Sequence, residues 1–286
     1  MPSAYTHYRF GQQMLSALPE PVRLSVQRHR RLYDLGLQGP DFFFYYKLGK
    51  DTPVKRLAQE YHHRTGESVF SAICRTLGKP SEEEQAYLHG LLAHYCLDAC
   101  CHPIVNRITG SDSLAHNAME SEFDRFLLAC DGVKFPHGYH RGRTVRCSGA
   151  DAAVIGRFYP EAKPEEIRLG LNTMGIVLGL LTIHAGAKVV LDLMGNPNPG
   201  LLMHKSEDPA FGCFNRELQD GYNRAAEQYP VLAQQLQSHM FQVGIIQHPS
   251  FPFGRLIALI QLQHRIKKSR NTGSQKSSYP TAFYYV

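Results

Sequence analysis

Apolar and polar positions along this chain alternate mostly with helical spacing. Pro80-Ser81-Glu82-Glu83-Glu84 is a capping box, with Ser81 at the N-cap and Glu84 three residues on. The Leu-, Ala-, Tyr- and Cys-rich run behind it predicts a buried helix to about Cys101. His102 precedes Pro103, and a residue before proline is pushed out of helical geometry. The helix is therefore expected to stop there, with His102 off the helical path. Other helices are predicted over Gln12–Tyr33, Phe42–Leu48, Lys55–Leu77, Ser113–Cys130, Pro164–Met194 and Arg216–Val243. Strand signals are sparse, the best being Thr144–Cys147, and Asn196–Gly200 reads as a loop. No internal repeat is visible. The pattern predicts an all-α protein: one compact helical domain over residues 1–265, then a polar tail over 266–286 ending in Phe283-Tyr284-Tyr285.

Composition supports a packed core. Of 286 residues, 43% are hydrophobic and 20% charged, which excludes wholesale disorder. Lys and Arg number 31 against 25 Asp and Glu, a formal +6, and much of the excess sits in Arg23–Arg31 and His264–Arg270. These segments read as solvated faces, the first also as a peripheral membrane contact. With no RRM, zinc-finger or homeodomain pattern, there is no strong nucleic-acid signal. The seven cysteines include no CxxC pair and read as reduced, mostly buried residues. The start, MPSAYTHYRFGQQML, lacks the basic and apolar runs of a signal peptide. The most apolar later stretch, Leu171–Leu193, is interrupted by His184, Lys188 and Asp192, a core helix rather than a span. A soluble cytoplasmic protein is expected. Oligomeric state is not set by these features.

The chemistry gathers in two short segments. In HGLLAHYCLDACCHPIVN, residues 89–106, His94, Asp98 and His102 recur in steps of four, which stacks them along one helix face. In LAHNAMESEFDRF, His116 and Glu120 form a second i, i+4 pair. Upstream stand Asp41, the adjacent His62 and His63, and His7. Imidazole and carboxylate suit Zn²⁺, and two helices each bringing such a pair can hold more than one ion. Plainer readings exist for each: Asp41 also fits the N-cap of the Phe42–Leu48 helix, and of two neighbouring histidines at least one is structural. The conjunction of HxxxDxxxH and HxxxE between His94 and Glu120 favours metal.

On these residues the chain resembles the zinc-dependent phospholipase C family, which is all-α and related to the S1/P1-type nucleases. The segments carrying the likeness are GPDFFFYY, HYCLDACCHP and HNAMESEFD. The resemblance implies a first zinc held by Asp41, His62 or His63, His94 and Asp98, and a second held by His102, His116 and Glu120. It also implies a third, held by a mature N-terminal amine, a histidine near the N-terminus and the bridging aspartate. His7 and Asp98 match two of those three ligands, whereas Met1-Pro2 does not match the amine. Two zinc ions are expected, with the third site weak or empty.

The activity implied is phosphodiester hydrolysis by a metal-activated water, on a phospholipid or related phosphoester. Asp41 is placed there as ligand or as general base, roles the sequence does not separate. No GxSxG is present and no cysteine has an obvious histidine partner, so no protein nucleophile is expected. The aromatic run Phe42–Tyr46 reads either as core or as the lining of a headgroup pocket. The alternatives are an S1/P1-like nuclease or nucleotidase and a non-catalytic metal-binding protein.

Overall fold

The computed structural model describes residues 4–183, 187, 191 and 199–243. Among them the chain is all α, with no strand. The helices are α1 (Ala4–Met14), α2 (Glu20–Arg28), α3 (Arg30–Gly36), α4 (Pro53–His63), α5 (Gly66–Leu77), α6 (Glu82–Thr109), α7 (Ser113–Cys130), α8 (Gly149–Gly156), α9 (Pro164–Leu180) and α10 (Asn215–Val243). A 3₁₀ segment, Gly39–Tyr45, follows α3.

α6 runs through the centre, with α1, α2, α3 and α10 packed on it. Its start is the expected capping box: Glu84 N–H donates to Ser81 Oγ, and Ser81 N–H donates to Glu84 Oε2. Two glycines bring α3 and α6 into backbone contact. A Cβ on Gly36 would stand 2.4 Å from the Tyr87 carbonyl, and one on Gly90 2.3 Å from the Tyr33 carbonyl. Buried tyrosines close the core while keeping their hydroxyls bonded, as burial of a polar tip requires. Tyr33 donates to the Gly11 carbonyl at 2.9 Å and Tyr229 to the His89 carbonyl at 3.0 Å.

Several expected boundaries are corrected. α6 does not stop at His102 but continues through Pro103 to Thr109. Proline leaves the Ala99 carbonyl without its helical donor. Ile104 and Val105 are nevertheless buried, and α10 leans on this turn at Gly221, so packing outweighs the local penalty. The expected helix over Gln12–Tyr33 is three helices in part: α1 starts earlier, Pro19 caps α2, and His29 at φ −116° separates α2 from α3. Lys55–Leu77 divides at Arg64, where Thr65 turns out to cap α5 and accepts from Ser68 N–H. Asp41 lies inside the 3₁₀ segment, whose N-cap is Gln38, so it is not the cap of a Phe42–Leu48 helix.

Thr144–Cys147 forms no strand. Its ladder partner is instead a side chain: Cys147 N–H donates to Asn172 Oδ1 at 2.9 Å, and Asn172 Nδ2 donates to the Cys147 carbonyl at 3.0 Å. α9 ends at Leu180, and most of the rest of the predicted Pro164–Met194 helix lies outside the described residues, as do most of the 196–200 loop and the 266–286 tail. All seven cysteines are free, five buried and two, Cys130 and Cys213, exposed. No helix among the described residues is long and apolar enough to cross a membrane.

Candidate metal centre

The helical step of α6 places His94, Asp98 and His102 on one face, as the spacing requires, because Pro103 does not divert the chain. Asp98 is the hub. Its Oδ1 lies 3.2 Å from His7 Nε2 and 3.6 Å from His102 Nε2. Its Oδ2 lies 3.1 Å from His94 Nε2 and 3.9 Å from His62 Nε2. One carboxylate therefore faces four imidazoles from α1, α4 and α6.

Around it the donors fall into three groups, each with ligand atoms within 4.8 Å of one another: His7, Asp41 and His94; His62, His94 and Asp98; His102, His116 and Glu120. Glu120 Oε1 lies 3.1 Å from His116 Nε2 and 3.3 Å from His102 Nε2. Of the adjacent histidines on α4, His62 turns inward, its Nε2 2.9 Å from Asp41 Oδ1. His63 is exposed and joins none of the three groups, because consecutive helical positions point to different sides.

The inner imidazoles are held by backbone carbonyls. His62 Nδ1 lies 2.6 Å from the Ala58 carbonyl and His94 Nδ1 3.2 Å from the Leu37 carbonyl. An Nδ1–H donated there leaves Nε2 as the lone-pair nitrogen facing the centre, the arrangement a metal-binding histidine takes. Gly39 makes room for it: at φ +52°, a Cβ there would stand 2.2 Å from the His94 ring.

The residues fit a metal by their own unmet needs. His7 Nδ1 is buried without a hydrogen-bond partner, and buried Asp41 Oδ1 and His94 Nε2 meet only the site's own ionisable groups, His62 and Asp98. Orphaned polar atoms of this kind are costly unless an ion satisfies them. Electrostatics agrees. Burial alone would raise the Asp98 carboxyl, but His102, His94 and His7 outweigh it and hold it well below the usual carboxylate range. At Glu120 burial is likewise overcome, with His116 and His102 among the causes. Burial works against protonated His62, yet Asp41 and Asp98 hold it up at about 9. Burial and the neighbouring His94 keep His7 below its ordinary value. Ionised carboxylates in a buried pocket call for positive charge, which divalent ions would supply through oxygen and imidazole ligands.

Sequence reading missed the residue that places His7. Asp124, fully buried on α7, accepts from Thr6 N–H at 2.8 Å, Thr6 Oγ1 at 2.6 Å and Tyr5 N–H at 3.4 Å. It thus caps the start of α1, with buried Arg141 3.6 Å behind it. Burial pushes its carboxyl up to about 6 despite Arg141 and the Thr6 bonds. The signal was available: Asp124 stands one helical turn after Glu120 in HNAMESEFD. The aromatic run also divides. Phe42 and Phe43 are core, whereas half-buried Phe44 faces His62, ring centroids 5.9 Å apart.

Residues 6–165, more than half of the chain, match a family model described as zinc dependent phospholipase C. The match spans all eight converging donors. No curated protein and no solved structure matches the chain.

Proposed function

The chain belongs to the zinc-dependent phospholipase C family, and from that premise we propose that it is a zinc phosphodiester hydrolase acting on a phospholipid or related phosphoester. The observation that carries this reading is the convergence of three donor groups on Asp98. Asp41, His62, His94 and Asp98 would hold one ion, and His102, His116 and Glu120 a second. His7, with Asp98 beside it, would complete a third position. When bound, the ions supply Lewis acidity, promoting ionisation of water and offsetting negative charge on the phosphoryl group.

The chain's own part is positioning and proton handling. Asp98, whose two oxygens face different histidines, would hold those donors in register. Asp41 would serve as a ligand and as the proton acceptor: its carboxylate is buried at the site, with Oδ1 2.9 Å from His62 Nε2. Phe44 offers an aromatic face next to His62 for the substrate's headgroup.

The test is turnover by zinc-loaded protein on a chromogenic phosphocholine ester against single-stranded DNA. Hydrolysis of the ester supports the reading. Cleavage of the nucleic acid instead would make the protein a nuclease, and stable zinc binding without turnover of either would make it a non-catalytic metal protein.

A further inference from the structure

α9 presents an apolar ridge to solvent. Leu169 is 45% exposed, Ile176 62% and Ile183, just past the helix end, 59%. Steps of seven keep Leu169 and Ile176 on one face. Glu165, in the first turn, marks the polar end of that face. The opposite side of α9 is anchored, since a Cβ on Gly170 would stand 2.8 Å from the Phe42 carbonyl. The ridge is therefore braced on the segment that carries Asp41.

A cationic rail runs alongside. Residues 140–147 descend α9 in close contact: a Cβ on Gly179 would meet the His140 ring at 2.7 Å, and one on Gly142 would meet the Gly175 carbonyl at 2.6 Å. The Asn172 amide then fixes Cys147. Arg143 and Arg146 project from this rail, and exposed Arg168 stands on α9 itself. None of the three has an ion pair among the described residues. Rail and helix enclose an open cleft of about 490 Å³, lined by Arg31, Arg143, Arg146, Asn172 and Ile176 among others.

The basic segment expected to meet a membrane is largely spent within the fold. Arg28 pairs with Glu82 at 2.7 Å, Arg30 with Asp34 at 3.0 Å and Arg31 with Asp151 at 2.8 Å. Exposed arginines without an ion pair, Arg143 stacked over the Tyr139 ring at 4.6 Å among them, lie instead beside exposed isoleucines at α9 and its rail. Charge attracts such a face to anionic headgroups, and the apolar ridge enters the acyl boundary behind them. A soluble anion would satisfy the arginines but leave the ridge in water.

We propose that the α9 ridge and the Arg143–Arg146 rail form a docking face for an anionic phospholipid surface. This goes beyond the reading of the metal centre and uses no step of hydrolysis. The test is co-sedimentation of the full chain with vesicles of phosphatidylcholine alone or mixed with phosphatidylserine. The protein is expected to pellet with the mixed vesicles and to stay in solution with the neutral ones. Ile176→Glu, and Arg143→Ser combined with Arg146→Ser, should each weaken binding by about tenfold or more. Unchanged zinc content and melting temperature certify both variants as folded. Equal binding to both vesicle types, or variants that bind as well as the parent, would overturn the proposal. So would a dimer in sedimentation velocity that Ile176→Glu dissolves, because a second copy would then cover the face. Binding without turnover would leave this proposal standing and refute the hydrolase reading, and turnover of the soluble ester without binding would do the reverse.

Discussion

The imidazoles of His7 and His94 stack face to face, centroids 4.3 Å apart and planes 26° from parallel. Burial and the neighbouring His94 ring hold the His7 imidazole below its ordinary value. The stack therefore favours the neutral imidazole, which is the form a metal binds. α1 and α6 are brought together by a contact whose chemistry is useful only when positive charge arrives from elsewhere.

Metal content is the first consequence. Protein purified without chelator should carry at least two zinc ions per chain, as elemental analysis can count. The position using His7 is expected to empty first under mild chelation. Complete chelation should lower the melting temperature, because an ion bound only by the folded chain stabilises it.

Replacing the hub should be more damaging than replacing its neighbours. Asp98→Asn is expected to cut phosphodiester hydrolysis at least a hundredfold and to lower zinc retention, since all four of its imidazole neighbours lose their anion. His94→Ala should act in the same direction. Normal steady-state rates in both variants would place the chemistry elsewhere.

Asp124 touches no metal donor, yet it should matter to the site. Asp124→Ala removes the cap of α1 and a carboxylate beside buried Arg141, a loss of about 2–3 kcal/mol. Asp124→Asn, which keeps the shape and a capping oxygen, should lose less. Denaturant melts with parallel zinc assays would show the lost metal tracking the His7 position.

The pH response of the metal-free protein has a definite sign. His62 is held at about 9, above its ordinary 6.5. Its pairing with Asp41 and Asp98 therefore stabilises the fold fully below pH 6.5, and that stability is lost as pH rises through about 9. Asp98 is depressed below 3.8, so its contribution is present above that pH and disappears as pH falls through the folded value. Zinc must displace the His62 proton, so its affinity should rise with pH and its uptake should release acid, measurable by calorimetry in buffers of different ionisation enthalpy.

The thiols offer an independent check on the fold. Ellman titration of native protein should find two fast cysteines, Cys130 and Cys213, with all seven recovered after denaturation without reductant. Burial pushes the Cys74 and Cys147 thiols up to about 12, which keeps them protonated as well as sheltered.

What the sequence determined by itself was local. Ser81 and Glu84 announced the start of α6, and the four-residue steps His94–Asp98–His102 and His116–Glu120 fixed which candidate donors share a helix face. Both follow from a turn of 3.6 residues, a property of the helix that needs no partner. All-α architecture was legible for the same reason, whereas the idea that the isolated Asp41 and His7 belong with these residues came from the family resemblance.

Tertiary structure decided the rest. His62 faces the centre and His63 faces solvent because α4 packs on the 3₁₀ segment through one side only. α6 passes through Pro103 because buried Ile104, Val105 and the approach of Gly221 outweigh one missing backbone bond. His7 meets Asp98 across ninety-one positions because α1 packs on α6 and Asp124 ties the start of α1 to α7. Sequence spacing sets which side chains share a helix face. Which faces meet, and with what ion-sized gap between them, depends on burial and hydrogen bonds formed between elements far apart in the chain.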